Sequence, residues 1–245
     1  MSSHDKPAAM LPWPPLVSGR LIRRYKRFLA DVELDDGRAV TAHCPNSGSM
    51  TACCAPGQPV YLSSHDDPKR KLKFTWELIR MPTSLVGVNT LVPNRLAAKA
   101  IAAGVIPELT GYGPPRGEVK VDAHTRLDLM LRDGKRPDCY IEVKNCTLVE
   151  DGLARFPDAR TVRGQKHLET LARLKADGGR AVMLFIVQRG DATVFAPADA
   201  IDPAYGRSLR QAAEAGVEIL VYDVAIDLAG IALRRPLPCR FDLLP

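Results

Sequence analysis

The chain has 245 residues, 46% of them hydrophobic and 25% charged, with 34 Lys and Arg against 28 Asp and Glu for a net charge of +6. That composition supports one large core or two modest ones and excludes a disordered, collagen-like or coiled-coil chain. No stretch approaches the ~20 consecutive apolar residues of a membrane helix, and the opening MSSHDKPAAMLPWPPL lacks a basic start followed by an apolar block, so a soluble cytoplasmic protein is expected.

Residues 1–12 are rich in Pro, Ala and Ser and read as a loose N-terminal segment. Residues 13–82 read as short strands: LVSGRLIRRY, RFLADVEL, RAVTAHC, PVYLSS and KLKFTWELIR. They are parted by Asp35-Asp36-Gly37, by the loop PNSGSMTACCAPGQ and by Asp66-Asp67-Pro68. Short strands between such turns predict a small antiparallel barrel of the oligonucleotide-binding (OB) type.

A boundary falls near residues 82–92, and residues 83–245 read as an α/β domain. A helix opens at Pro93-Asn94, with Asn94 as its cap and Gly104 as its stop. The strands GEVKV, TRLDLMLR and CYIEVKNC follow. A helix over 159–176 carries Leu168, Leu171 and Leu174 on one side. AVMLFIVQR and VEILVYDV are apolar enough to be buried on both faces of a sheet, with a helix over 204–215 between them. The chain shows no internal repeat. The fold class expected is therefore α+β with two domains, an OB-like barrel followed by an α/β domain.

The six cysteines (Cys44, Cys53, Cys54, Cys139, Cys146, Cys239) form no CxxC pair and no Cys/His zinc spacing, so reduced thiols are expected. No Ser-His-Asp arrangement and no nucleotide-binding loop stands out; PNSGSM lacks the Gly-Lys-Ser/Thr it would need and is expected to be a tight turn.

The informative stretch is Asp128 to Lys144. Side chains alternate along a strand, so Arg126, Asp128 and Met130 share one face and Leu127, Leu129 and Leu131 the other, while Tyr140, Glu142 and Lys144 share a face opposite Ile141 and Val143. If DGKRPD turns the two strands into a hairpin, Asp128 and Glu142 converge on one point beside Lys144. Two carboxylates make a hard-oxygen site suited to Mg²⁺, with Mn²⁺ as an alternate, and a neighbouring lysine can orient a water or offset charge on a phosphate. The same residues equally fit an ordinary ion pair on a half-exposed strand. Glu118 is open between a third carboxylate and an edge-strand charge.

Basic residues crowd two places in the barrel. Arg20, Arg23, Arg24, Lys26 and Arg27 surround Tyr25 and Phe28, and Lys69, Arg70, Lys71 and Lys73 precede Phe74 and Trp76. Cations hold phosphates while aromatic faces stack bases, the combination for single-strand binding on such barrels. A solvated basic edge over a buried aromatic core is the alternative.

CPNSGSM, KRKLKFTWELI, VGVNT with PNRL, RPDCYIEVKNCTL, FPDARTVRGQKHL, FAPADAIDPAY and GVEILVY resemble, in order, the sugar fermentation stimulation protein family, over about Leu11 to Pro238. The resemblance implies an OB-type barrel, a restriction-endonuclease-like PD-(D/E)xK domain, DNA binding and a role in regulating sugar use. It carries the acid positions onto Asp128 and Glu142 and the lysine onto Lys144, although Leu127 stands where the general signature has proline. It also carries a helix glutamine onto Gln165, with His167 nearby as a residue that could touch a phosphate. The expected function is a DNA-binding protein, on single or double strands, with a Mg²⁺-dependent nuclease centre. The rivals are a non-catalytic DNA-binding regulator that uses the nuclease fold as a scaffold, and an enzyme acting on a small phosphorylated sugar. The oligomeric state is open, a homodimer included.

Overall fold

The computed structural model of the chain describes residues 9–123 and 125–243. It begins with a two-residue strand, β1 (Leu11–Pro12), and continues through β2 (Leu16–Tyr25), β3 (Leu29–Leu34), β4 (Ala39–His43), β5 (Pro59–Ser64), β6 (Phe74–Arg80) and β7 (Leu85–Gly87). The sheet order is β4-β3-β2-β5-β6-β7, and β4 also pairs with β6, so β2 to β6 close into a five-stranded barrel. The closing seam is short and parallel, Ala42 to Phe74 and His43 to Thr75. Alternation sends Leu21, Ala30, Val32, Val60, Leu62 and Trp76 inward, and Gly37 takes the positive φ of 85° that the β3–β4 turn needs.

The second half opens with α1 (Val92–Ala102), then β8 (Arg116–Lys120), β9 (Arg126–Leu131), β10 (Cys139–Cys146), β11 (Leu148–Glu150), β12 (Leu153–Phe156) and α2 (Val162–Ala176). It ends with β13 (Arg180–Val187), β14 (Val194–Pro197), α3 (Pro203–Glu214), β15 (Glu218–Ile226) and β16 (Gly230–Pro236). One sheet runs β1-β16-β15-β13-β10-β9-β8, with β10, β13 and β15 mutually parallel and α2 and α3 as crossovers. Strand β13 shows why the layers form: Val182, Leu184 and Ile186 pack with α1, while Met183, Phe185 and Val187 pack with α2 and α3. Full burial of each such side chain contributes about 1.5–3 kcal/mol, enough to order the helices on both faces. A small sheet, β11-β12-β14, sits beside the large one.

The two expected architectures are present, and several local expectations change. Residues 1–8 lie outside the described residues, but the rest of the N-terminal segment is packed: Ala9 is buried and β1 pairs with β16. Lys69 to Lys73 lie on the β5–β6 loop rather than in a strand, because β6 starts at Phe74. Leu127 packs on the α2/α3 side whereas Leu129 and Leu131 pack on the α1 side, so strict alternation breaks at Asp128. Helix α1 begins at Val92 with Leu91 as N-cap, and Asn94 does not cap it. Among the described residues no helix is long and apolar enough to cross a membrane.

Candidate functional site

The break at Asp128 builds the site. The β9–β10 ladder runs from Leu131–Cys139 to Leu129–Ile141 and stops there. Beyond it the Asp128 side chain replaces the backbone as partner, accepting from the Val143 N–H at 2.8 Å through Oδ2. Its other oxygen accepts from Asn94 Nδ2 at 2.6 Å, which fixes the carboxylate from α1. Burial first, then the nearby Glu142 charge, raise the Asp128 pKa above the usual carboxylate range.

Glu142 is 2% exposed, so its partners decide its charge. Oε1 accepts from Lys144 Nζ at 2.5 Å and from His167 Nδ1. Burial pushes Glu142 up, but the His167 hydrogen bond and the Lys144 charge outweigh it and hold the pKa below its ordinary value. Arg163 Nε donates to His167 Nε2 at 3.4 Å, which makes Nδ1–H the ring donor to Glu142. Oε2 of Glu142 is buried with no hydrogen-bond partner.

Asp128, Glu142 and Lys144 thus come together as expected, and His167 joins them. Gln165 does not: its amide reaches Asp202 Oδ1 at 3.5 Å, at the start of α3. Residues two apart on a helix point about 200° apart, whereas residues four apart share a face. Arg163 therefore accompanies His167 into the site and Gln165 turns away. Glu118 is exposed on the neighbouring strand β8 with a φ of 54°.

Above the acid pair lies a cleft of about 670 Å³ between the barrel and the α/β domain. One wall is the loop after β4, which includes PNSGSM. Gly48 N–H bonds Asn46 Oδ1 at 2.9 Å, the tight turn expected. Arg24 holds this loop by donating to the carbonyls of Asn46, Gly48 and Ser49 at 2.8–3.0 Å, and a fourth bond reaches Arg27 O at 3.0 Å. The opposite wall follows β12: Asp158 Oδ2 accepts from Met50 N–H at 3.1 Å, packed so closely that a Cβ on Gly48 would fall 2.3 Å from that oxygen. Arg27, Arg160 and Arg163 also line the cleft.

The barrel's basic residues divide. Arg24 is committed to the loop. Arg23 pairs with Asp31 at 2.8 Å and lies over the Tyr25 ring, and Arg20 donates to Gly57 O at 3.0 Å. Arg70 bonds Thr75 Oγ1 at 3.2 Å and Lys73 bonds Asp67 O at 2.7 Å. Lys26, Lys69 and Lys71 stand exposed. Trp76 is fully buried and cannot stack on a base; Tyr25 and Phe74 are half-buried, and Phe28, 47% exposed, is the most open aromatic of these clusters. The registers Tyr25–Leu29, Leu29–His43 and His43–Thr75 bring the end of β2 and the start of β6 to the same end of the barrel.

Among the described residues no group of three or more His, Cys, Asp and Glu is arranged to hold a metal. The pair of carboxylates nonetheless suits a cation that keeps most of its waters, and the unpartnered Oε2 of Glu142 is an oxygen that such an ion would satisfy. Sequence reading missed Asn94, Arg160 and Arg163. Helical spacing from His167 was the available signal for Arg163; Asn94 carried none, since a helix-start asparagine reads as a cap.

Comparison with known proteins gives the following. Residues 22–88 match the family described as SfsA N-terminal OB domain, and residues 91–230 match the Sugar fermentation stimulation protein RE domain. A sugar fermentation stimulation protein homolog of Geobacter sulfurreducens is 55% identical over 91% of this chain and 96% of its own. One from Acidithiobacillus ferrooxidans is 52% identical over 91% of this chain and 98% of its own. The solved structure of Pyrococcus furiosus SfsA in complex with Ca²⁺ superposes with a TM-score of 0.86 at 28% identity, covering 94% of this chain and 98% of that one.

Proposed function

The chain belongs to the sugar fermentation stimulation protein family, and from that premise we propose that it is a DNA-binding protein with a Mg²⁺-dependent phosphodiesterase centre at Asp128, Glu142 and Lys144. The observation that carries this reading is the buried, unpartnered Glu142 Oε2 beside Asp128 at the floor of a cleft lined by arginines. That the solved relative was captured with Ca²⁺, a hard cation of the same ligand preference, agrees with it.

Asp128 and Glu142 would hold the ion, which when bound supplies Lewis-acid polarisation of a phosphate oxygen and an acidified water. Asn94 and the Val143 N–H fix the Asp128 carboxylate. His167 fixes Glu142 from the other side. Lys144 spends one of its three N–H donors on Glu142 and has two left for a phosphate oxygen or the attacking water. Arg27, Arg160 and Arg163 hold the flanking phosphates. Gln165 has no part in it. The link to sugar utilisation that the relatives' names carry belongs to the same proposal.

A regulator without chemistry is the second reading. It is favoured by Glu142 Oε1 already being paired with the Lys144 ammonium and hydrogen-bonded by His167, a cluster that needs no metal. Cleavage of labelled single- and double-stranded DNA by wild type and Glu142→Ala, in EDTA, Mg²⁺ or Mn²⁺, separates the two. Metal-dependent cutting lost in the variant supports the nuclease. Salt-sensitive binding without cutting on any substrate supports the regulator.

A further inference from the structure

The acid pair does not sit at the bottom of a closed pocket. Asp128 and Arg163 line a second cavity as well, of about 290 Å³, bounded by Glu118, Lys120 and Arg126 on the β8–β9 hairpin. The two cavities share Asp128 and Arg163 in their linings, so a groove with Asp128 at its middle has the barrel loop on one side and the β8–β9 hairpin on the other.

Two kinds of group lie in this groove or next to it. The first is cationic: neither Arg27 nor Arg160 forms an ion pair among the described residues, both are exposed, and Arg163 spends one N–H on His167. The second is apolar. Of the five large hydrophobic side chains exposed among the described residues, three stand next in the chain to groove residues. Phe28 follows Arg27, Leu91 follows Thr90, and Val162 lies between Thr161 and Arg163; they are 47%, 67% and 67% exposed. The fold leaves these three uncovered while it buries Trp76 and covers Tyr25 with Arg23.

Cations in a groove with uncovered apolar side chains adjoining it match one class of nucleic acid. A duplex turns phosphates outward and keeps its base faces stacked inside, so it satisfies Arg27 and Arg160 but offers nothing to Phe28. An unpaired strand presents phosphates and free base faces together. Size points the same way: a cleft of about 670 Å³ lies within the ~300–1,000 Å³ of sites that enclose small molecules, and a duplex would only bridge its rim.

We infer that the groove takes an unpaired DNA strand, its phosphates on Arg27, Arg160 and Arg163 and its bases against Phe28, Leu91 and Val162, so that the phosphodiester presented to Asp128 and Glu142 belongs to single-stranded DNA or to a frayed end. This rests on the functional reading above and narrows its substrate class. It also moves the principal contact from the two basic clusters of the barrel to the cleft between the domains.

The test is fluorescence anisotropy in EDTA, which separates binding from cleavage. The probes are a labelled oligothymidylate of about a dozen nucleotides, within the site sizes of ~4–16 nucleotides known for such barrels, and a blunt duplex of the same length. The proteins are the full chain, Phe28→Ala, Phe28→Leu, Arg27→Ala and Arg160→Ala, each checked by thermal melting. Wild type is expected to bind the single strand at least roughly tenfold more tightly than the duplex. Phe28→Ala should lose roughly tenfold on the single strand and little on the duplex, the loss of about one stacked base. Phe28→Leu keeps the apolar bulk and loses the ring face, so a similar loss there shows that stacking is the cause. Each arginine variant should flatten the salt dependence on the single strand by about 0.7. Equal affinity for both probes with no effect of Phe28, while the arginine variants still flatten the duplex slope, overturns the single-strand inference and leaves DNA contact at the site standing. Slopes indifferent to Arg27 and Arg160, or no binding of either probe, overturn the functional reading and this inference together.

Discussion

Replacing Arg24 by alanine separates a brace from a DNA contact. In sequence the residue belongs to the basic stretch Arg23-Arg24-Tyr25-Lys26-Arg27, where every cation is a phosphate ligand on equal terms. In the fold its guanidinium donates four hydrogen bonds to the carbonyls of Arg27, Asn46, Gly48 and Ser49. A bond from a charged donor contributes about 1.5–3 kcal/mol when buried, and taking about 1 kcal/mol each for this half-exposed group puts the loss at roughly 3–4 kcal/mol. For a chain of this length the melting temperature should fall by about 6–16 °C, at ~2–4 °C per kcal/mol. Arg24→Lys should recover little, because three donors on a point charge cannot reproduce the planar fork. Scanning calorimetry reads the shift and a salt titration of DNA binding reads the slope. A variant that melts within about 1 °C of wild type while its salt slope falls would show that Arg24 is a phosphate ligand and that the brace contributes nothing.

Asn94→Ala removes one of the two hydrogen bonds on Asp128 and should weaken Mn²⁺ binding about 10–100-fold by titration calorimetry; unchanged affinity would show that Asp128 is not a ligand. Asp202 caps α3 and accepts from the Thr161 N–H, and although burial pushes its pKa up, those donors together hold it below the usual range. Its stabilising contribution is therefore present above the unfolded carboxyl pKa of ~3.9 and is lost as pH falls through the lower folded value. Asp202→Ala should cost about 1–2 kcal/mol in urea unfolding at pH 7, a gap that closes in acid. Burial pushes Cys53 and Cys139 up to about 12, Cys239 to about 11 and Cys44 and Cys146 up as well, while Cys54 is half-buried, so one thiol should react quickly with Ellman's reagent at pH 8 and Cys54→Ser should abolish it.

What was legible follows from where the information lies in the chain. Barrel strands separated by Asp-Gly and Asp-Pro turns carry their own periodicity, and β13 is long and apolar enough to announce a strand buried on both faces. Glu142 and Lys144 were readable because the strand period places them on one face, and Asp128 because the hairpin brings its strand alongside, although the alternation itself breaks there. Strands such as β1, β11 and β14, two to four residues long, are too short to show a period and are defined by their tertiary partners, β16 for β1 and β12 for the other two. Arg24 could not be told from Arg23, since the carbonyls it holds belong to a loop more than twenty residues later. Asn94 and Asp128 are likewise joined by tertiary packing across 34 positions. Gln165 was the avoidable miss: the helical period allows the α2 face to point either His167 or Gln165 at Glu142, not both.

The pairing of β1 with β16 gives the molecule a particular mechanical character. The chain is anchored on the large sheet at Leu11–Pro12, leaves to build the barrel, and returns at Gly87, where the N–H bonds Gln188 O at 2.8 Å and the Gln188 amide reaches the carbonyls of Gly87 and Asn89. The barrel is thus a closed excursion, clasped at both ends, rather than a bead on a string. Removing the chain up to residue 88 would strip β16 of β1, which covers Gly230 and Ile231 on the side away from β15, and extend the open sheet edge, the kind that invites pairing between molecules. The two halves should accordingly melt together in one calorimetric transition, and the wall that the barrel contributes to the groove stays in register with the carboxylates on its floor.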